Sequence, residues 1–181
     1  MLDKFEKESD DIRELLKAER FNNDVSEISK SAKELSVLSE KMKNLDEYSK
    51  KHRKFEEVLE ITEFTNFKDF RDLKTQFTVK EKIYNGIVEL EKLAKDWNEK
   101  CFNTIDVKEL TSICDSYTKN LLTGERQIPD NKALPIFKKN LFVFKDAIPV
   151  ISALRCPYLE ENDFTKIQEL LQTEINFKED T

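Results

Sequence analysis

The stretch FKDFRDLKTQFTVKEKIYNGIVELEKLAKDW, residues 67–97, decides the fold class, because its apolar side chains recur at helical spacing along most of its length. The apolar positions are Phe67, Phe70, Leu73, Phe77, Tyr84, Ile87, Leu90, Ala94 and Trp97. They predict one long amphipathic helix that ends near residue 100. Gly86 and the pair Thr78-Val79 weaken the pattern, so a kink is expected near one of them. Trp97 is interpreted as a core or interface aromatic side chain and not as a ligand-binding one.

Two helices are predicted upstream of this stretch. Residues 2–20 place their apolar side chains on one face, namely Leu2, Phe5, Ile12, Leu15 and Leu16. Asp24 and Glu27 have the spacing of a capping box, which predicts that the second helix starts there and runs over residues 25–61. Such a helix is about 55 Å long, so the molecule should be elongated.

The second predicted helix carries an apolar stripe that needs a partner helix, from this chain or from another. The stripe consists of Val25, Ile28, Ala32, Leu35, Leu38, Met42, Leu45, Tyr48, His52, Phe55 and Leu59. His52, the single histidine of the chain, lies on this stripe. We therefore interpret His52 as a packed or interface side chain and not as a catalytic one.

Further helices are predicted after residue 100. Asp106 with Glu109 predicts a capped helix start, Ile105 and Leu110 have the spacing of a hydrophobic staple, and Gly124 is suited to the C′ position just past the helix end. The next helix should cover residues 132–147, with Pro135 in its first turn.

Prolines and caps set the remaining boundaries. Pro149 should end or kink the helix over 132–147, and Pro157 should stop the chain again. Asn162 or Asp163 is expected to cap a last helix. Because no segment shows the alternation of a strand, the sequence predicts an all-α fold without β-sheet, built as an elongated array of long helices and helical bundles.

Composition agrees with this fold class and argues against nucleic-acid binding. Among 181 residues 38% are charged, with only two glycines, four prolines and a net charge of −6. The densest basic run is residues 50–54, but Glu56, Glu57 and Glu60 follow it at once. A solvated helix face is therefore expected there, since nucleic-acid binding proteins carry a sustained basic stripe.

The sequence carries no recognisable catalytic, metal or cofactor motif. Three cysteines without CxxC spacing and one histidine make a structural zinc site improbable, and Cys101, Cys114 and Cys156 are interpreted as small buried or half-buried apolar residues. Phosphate-binding loops, dinucleotide-binding turns and zinc-protease motifs are absent from the sequence. No cofactor and no catalytic residue are therefore assigned. An enzyme that uses carboxylates in a helical cleft is a disfavoured alternative.

Membrane association is not expected either. The sequence has no N-terminal apolar signal segment and no apolar run approaching 18 residues, and the helix faces opposite the apolar stripes mix both charges. We expect a protein of a reducing, intracellular compartment that contacts neither membranes nor nucleic acid.

The segment FKDAIPVISALRCPYLEENDFTKIQELL, residues 144–171, resembles the dynein heavy chain family, whose linker carries the pattern F-K-x-x-L-P-x-I-x-x-L-R-N-P-x-L-x-x-R-H-W-x-x-I. The motif positions are Phe144, Pro149, Ile151, Leu154, Arg155, Pro157, Leu159, Phe164 and Ile167. The resemblance covers roughly residues 70–175. It departs from the family at 162–164, where Asn-Asp-Phe replaces Arg-His-Trp, and at Cys156, where asparagine is common.

This resemblance implies that residues 62–181 are the N-terminal portion of a dynein-type linker, a helical lever that swings across a ring of AAA+ modules. Residues 1–61 would be elongated, tail-like or coiled-coil-like helices. The implied chain is a non-catalytic fragment whose partners are the AAA+ ring, the rest of the heavy chain and other dynein subunits, with microtubules engaged only indirectly. It also implies a cytoplasmic, cytoskeletal location, either in the cytosol or in a ciliary axoneme, and it suggests that Pro149 and Pro157 fix the angles between successive lever helices.

A second hypothesis does not depend on the resemblance. The chain would be a helical scaffold or adaptor that pairs with a partner helix through residues 25–61.

Overall fold

A computed structural model describes residues 2–99, 106–156 and 158–171, which form six α-helices and one short 3-10 turn. The elements are α1 (Leu2–Lys17), the 3-10 turn (Glu19–Phe21), α2 (Ile28–Val58), α3 (Lys68–Glu99), α4 (Val107–Gln127), α5 (Ala133–Leu154) and α6 (Glu161–Leu171). No strand occurs within these described ranges, so the all-α prediction is confirmed.

Helix α3 is the spine of the molecule, because it packs against α1, α2, α4 and α5. Its first half faces α1, where the rings of Phe70 and Phe5 lie 5.0 Å apart between centroids. Its last turns face α5, where the rings of Trp97 and Phe144 lie 4.9 Å apart. Two three-helix bundles, the first bundle (α1, α2, α3) and the second bundle (α3, α4, α5), thus share one helix of 32 residues, about 48 Å long. The elongated architecture and the core role of Trp97 are confirmed.

The apolar stripe of α2 finds its partner within this chain. Its buried members are Ile28, Ala32, Leu35, Leu38, Met42 and Leu45. Because α1 and α3 cover these side chains, they are not available to a partner chain. The large apolar side chains left exposed on α2 and at its C-cap are Val37, Phe55, Val58 and Leu59.

His52 and its basic neighbours behave as the sequence predicts. The His52 ring is half-buried and lies 5.7 Å from the Phe67 ring and 5.9 Å from the Tyr48 ring, so it is a packed side chain. The remaining residues of the run 50–54 are exposed. One carboxylate beside them is not exposed: Glu56 is buried and accepts hydrogen bonds from the backbone N–H and the hydroxyl of Thr65, which fixes the connection between α2 and α3.

The predicted start of α2 was wrong by a few residues. The carboxylate of Asp24 accepts hydrogen bonds from the N–H and the hydroxyl of Ser26, at 2.9 and 2.6 Å, which closes a local turn. Because Asp24 is used in this turn, it does not cap the helix, which begins at Ile28 with Glu27 as its N-cap and ends at Val58.

Helix α4 begins as predicted and ends later than predicted. Asp106 accepts hydrogen bonds from the N–H groups of Lys108 and Glu109, at 2.8 and 3.1 Å, and these bonds lower the pKa of its carboxyl. The staple partner Ile105 lies outside the described residues. Gly124 is not a C′ residue, because the helix continues to Gln127 and Gly124 is buried within it.

Pro149 does not end α5, which continues to Leu154. The prediction that the helix ends at Pro149 is therefore wrong, whereas the alternative, a kink that sets the angle of the lever, stays a prediction. Pro135 lies in the first turn, as expected, while Pro157 is outside the described residues. Helix α6 begins at Glu161, and the backbone N–H of Glu160 donates to the Asp163 carboxylate at 3.2 Å, so Asp163 stabilises the helix start from its third position instead of serving as the N-cap.

The two cysteines within the described residues differ from each other. Cys114 is buried, as predicted, whereas Cys156 is exposed, which corrects the prediction for that residue. Cys101 lies outside the described residues.

Gly86 allows the second bundle to close. Helix α3 runs unbroken through this residue, and a Cβ placed on it would lie 2.6 Å from Cε2 of Phe137, whose ring is fully buried. Gly124 has a comparable approach of 2.7 Å, but to Cδ2 of Leu134, the end of a flexible side chain.

We expect Gly86→Ala to destabilise the protein more than Gly124→Ala does. Alanine favours a helix by about 1 kcal/mol over glycine, but overpacking a rigid core costs about 1–3 kcal/mol. Urea unfolding followed by circular dichroism measures both free energies. In a Phe137→Leu background, which removes the obstructing ring atoms, Gly86→Ala should become neutral or stabilising; an unchanged cost there would contradict this account.

Candidate functional site: a polar joint at the middle of α3

A buried lysine lies where the two bundles meet. Lys80, near the middle of α3, is only 6% exposed. Its Nζ donates hydrogen bonds to the backbone oxygen of Leu16 at 2.8 Å and to Oδ1 of Asn22 at 2.6 Å. Leu16 lies in the last turn of α1, whose carbonyl groups lack partners within the helix. Lys80 therefore ties the end of α1 to the spine.

Asn22 extends this contact to both sides. Its side-chain amide donates to the backbone oxygens of Leu16 and Ala18, at 2.9 Å each, which closes the turn between α1 and α2. Its own backbone oxygen accepts from the N–H of Lys132, at 2.9 Å, in the connection between α4 and α5. One residue thus joins a turn of the first bundle to a turn of the second.

Asn131 makes the second link between these turns. It is buried, and its Nδ2 donates to the backbone oxygen of Phe21 at 2.8 Å. Its Oδ1 accepts from the N–H of Ala133 at 2.9 Å, at the first residue of α5. We name the set Lys80, Asn22 and Asn131 the polar joint, because these three side chains connect both interhelical turns to α3.

Tyr84 lies one turn along α3 from Lys80 and is fully buried beside the joint. Its ring packs against that of Phe21, with centroids 6.5 Å apart. Burial raises the pKa of Tyr84 to about 12, so its hydroxyl remains protonated and can donate. It donates to the backbone oxygen of Arg20 at 3.4 Å, which is a long hydrogen bond.

The charge state of Lys80 is set by burial. Desolvation lowers its pKa from 10.5 to about 8, and no carboxylate among the described residues pairs with it. A neutral amine has two N–H donors, which is the number that Leu16 and Asn22 accept. The joint therefore keeps its hydrogen bonds whether or not Lys80 carries the proton.

The joint was not predicted, although the sequence contained a signal. Lys80 lies three residues after Phe77 and four before Tyr84, at the core position where the apolar stripe of α3 has a gap. A cation at a core position indicates a specific acceptor. Which residues supply that acceptor cannot be read from the pattern, since Leu16 is 64 positions away.

The structure does not gather the linker-motif residues into one site. Phe144 and Ile151 are buried, Leu154, Leu159 and Ile167 are half-buried, and Pro149 and Arg155 are exposed. Phe144 packs on Trp97, and the charge of Arg155 contributes, after the backbone hydrogen bonds, to the lowered pKa of Asp106. Pro157 and the side chain of Phe164 are not among the described parts. Within α5 and α6 the motif thus follows the packing of a helix instead of forming a pocket.

Two other kinds of site, a metal site and a membrane span, are not found in the described residues. Across the described ranges, no three His, Cys, Asp or Glu side chains are grouped as metal ligands would be. None of the described helices combines the length and the apolar character that crossing a bilayer requires.

We expect the Lys80 proton to make stability depend on pH in one window. Between pH 8 and 10.5 the unfolded chain binds a proton that the folded chain has released, so the free energy of unfolding rises with pH there. Below pH 8 the desolvation cost of the ammonium group is fully present. Lys80→Met lacks this titration, so the difference in unfolding free energy, wild type minus variant, should grow across the window. A difference that stays constant in urea unfolding would contradict the assignment.

Comparison with the profiles of known protein families gives a match over most of the chain. The profile of the family "Dynein heavy chain, N-terminal region 2" matches residues 70–181, which includes α3 from its third residue onward. Searches of curated proteins and of solved structures return no match. The matched segment covers more than half of the 181 residues and contains the linker-like pattern at 144–167. This chain belongs to the dynein heavy chain N-terminal region 2 family.

Proposed function

We propose that this chain is a non-catalytic segment of a dynein heavy chain, the N-terminal part of the linker, and that it works as a mechanical lever element. The observation that carries the proposal is the continuous helix α3, shared by two bundles and tied to both of their turns by the polar joint. Family membership supplies the context of a motor.

Stiffness at the middle of α3 is the property that a lever needs. A bend there would have to separate Lys80 from Leu16 or Asn22, and Asn131 from Phe21. Each of these hydrogen bonds is buried or half-buried, so breaking one leaves a desolvated polar group. A displacement applied at one bundle is therefore transmitted to the other with little loss in bending.

The partners that follow from this proposal are the AAA+ ring, the rest of the heavy chain and other dynein subunits. Contact with microtubules would be indirect, and no substrate or cofactor is assigned. The location would be cytoskeletal, in the cytoplasm or in a ciliary axoneme.

We expect a dynein motor that carries this segment in place of its own equivalent to move microtubules in a gliding assay. Softening α3 at two exposed positions that flank the joint, with Gln76→Gly and Lys82→Gly, should slow gliding while ATP hydrolysis is retained, because glycine adds backbone freedom at about 1 kcal/mol per site.

The matched control is Gln76→Ala with Lys82→Ala, which removes the same side chains and keeps the helix stiff. This pair should glide like the unmodified chimera. Equal velocities for the glycine and alanine pairs, or no gliding by a folded chimera that hydrolyses ATP, would refute the lever role.

A further inference from the structure

A groove with a basic lining runs along one flank of both bundles. It has a volume of about 890 Å³ and lies between α2 and α4, with α3 as its floor. The wall from α2 extends from Asp46 to Glu57, a distance of about 16 Å along the helix, and the wall from α4 contributes Asn120, Thr123 and Gln127. We name this the basic groove.

The charge of the basic groove is opposite to that of the whole chain. Its lining includes six cationic side chains, Lys50, Arg53, Lys54, Arg71, Lys74 and Lys82, against the two carboxylates Asp46 and Glu57. The complete chain has a net charge of −6. A local excess of cations on an acidic protein marks a surface that attracts an acidic partner.

Several of these cations have no partner of their own. Asp46 is held by Lys50 at 2.8 Å and Lys74 at 2.6 Å, so this carboxylate and these two ammonium groups neutralise one another in part. Lys54, Arg71 and Lys82 are exposed and form no ion pair within the described part of the chain. These three side chains are available to an acidic ligand.

The floor of the groove, formed by α3, adds cations to those of the α2 wall. It presents Arg71, Lys74 and Lys82 with the hydroxyl-bearing Thr75 and Thr78, whereas the side chains of Phe67, Phe70 and Val79 are buried, only 4–8% exposed. A ligand that fits must therefore offer carboxylates to α2 and α3 and an uncharged face to Asn120, Thr123 and Gln127 of α4. An α-helix is about 10–12 Å wide, and about 11 residues of helix cover the 16 Å of the α2 wall.

We propose that the basic groove binds an acidic amphipathic helix of a partner protein, laid along α3 between the walls from α2 and α4. The bound helix would add a fourth helix to the flank of both bundles. This binding does not depend on the proposed lever function. A partner helix bound along α3 would, however, change how easily α3 bends.

Nucleic acid fits the same surface less well. Glu57 and Asp46 in the α2 wall would face its phosphates, and the lining from α4 offers them no cation. The net negative charge of the chain also opposes the approach of a polyanion.

The test uses the complete 181-residue chain and a fluorescein-labelled peptide of 14 residues, with leucine at helical spacing on one face and glutamate elsewhere. Fluorescence anisotropy at low and moderate salt should show saturable binding that weakens as salt rises. Two further probes test other ligands for the groove. They are the same peptide with lysine in place of glutamate, and a 14-nucleotide single-stranded thymidine oligonucleotide.

Charge reversal locates the site. The variant Lys54→Glu, Arg71→Glu, Lys82→Glu should bind the acidic peptide about tenfold or more weakly. The matched control, Lys33→Glu, Lys92→Glu, Lys139→Glu, makes the same change in net charge at exposed positions outside the groove and should bind nearly as the wild type does. Circular dichroism verifies that both triple variants are folded.

Four results would overturn the proposal. They are the absence of saturable binding to the acidic peptide, equal weakening by the two triple variants, equal or tighter binding of the lysine peptide, and tighter binding of the oligonucleotide than of the acidic peptide.

Discussion

The hydrogen bonds from the Lys80 ammonium group to the oxygens of Leu16 and Asn22 are the constraint on which the arrangement of the two bundles depends. Burying a charged group away from water costs free energy unless its hydrogen-bond donors have acceptors. Because Lys80 is buried, its acceptors Leu16, at the end of α1, and Asn22, in the following turn, must lie beside it. Asn131 then links the turn between α4 and α5 to the same region. The polar joint thus fixes the position of each bundle along the common helix, which apolar contacts alone would leave open to sliding.

The family match and the packing divide the chain at different places. The match starts at residue 70, but Phe70, Leu73 and Phe77 in the first half of α3 are buried under α1 and α2, which lie before that residue. Without residues 2–58 these side chains would be exposed, and Lys80 would lose its acceptors. The helices before the matched segment therefore belong to the folding unit, although their sequence is that of generic amphipathic helices. The division at residues 61 and 62 stays a prediction about function.

Sequence periodicity was sufficient to predict the helices, but it was not sufficient to predict which side chains of different helices contact one another. The stripe of α3 predicts the element within a residue or two at each end, because burial on one face imposes a 3.6-residue repeat. Two of the misplaced boundaries, the start of α2 and the end of α4, share one cause, since the same residue type can serve two purposes. Asp24 can cap a helix or close a turn with Ser26, and Gly124 can end a helix or admit the side chain of Leu134. The choice depends on what lies opposite in space, and for the polar joint the groups that lie opposite are 58 to 110 positions apart.

Pro149 interrupts the backbone hydrogen bonding of α5 near its C-terminal end. Because proline has no N–H, the carbonyl group of Lys145, four residues earlier, lacks its usual partner inside the helix. Pro149 itself lies on the exposed face of the helix. The final turn and a half, which carries Ile151 and Leu154, is thus joined to the rest of α5 by one backbone hydrogen bond fewer than in a regular helix. We therefore expect the amide protons of this segment to exchange with solvent before those in the middle of α5.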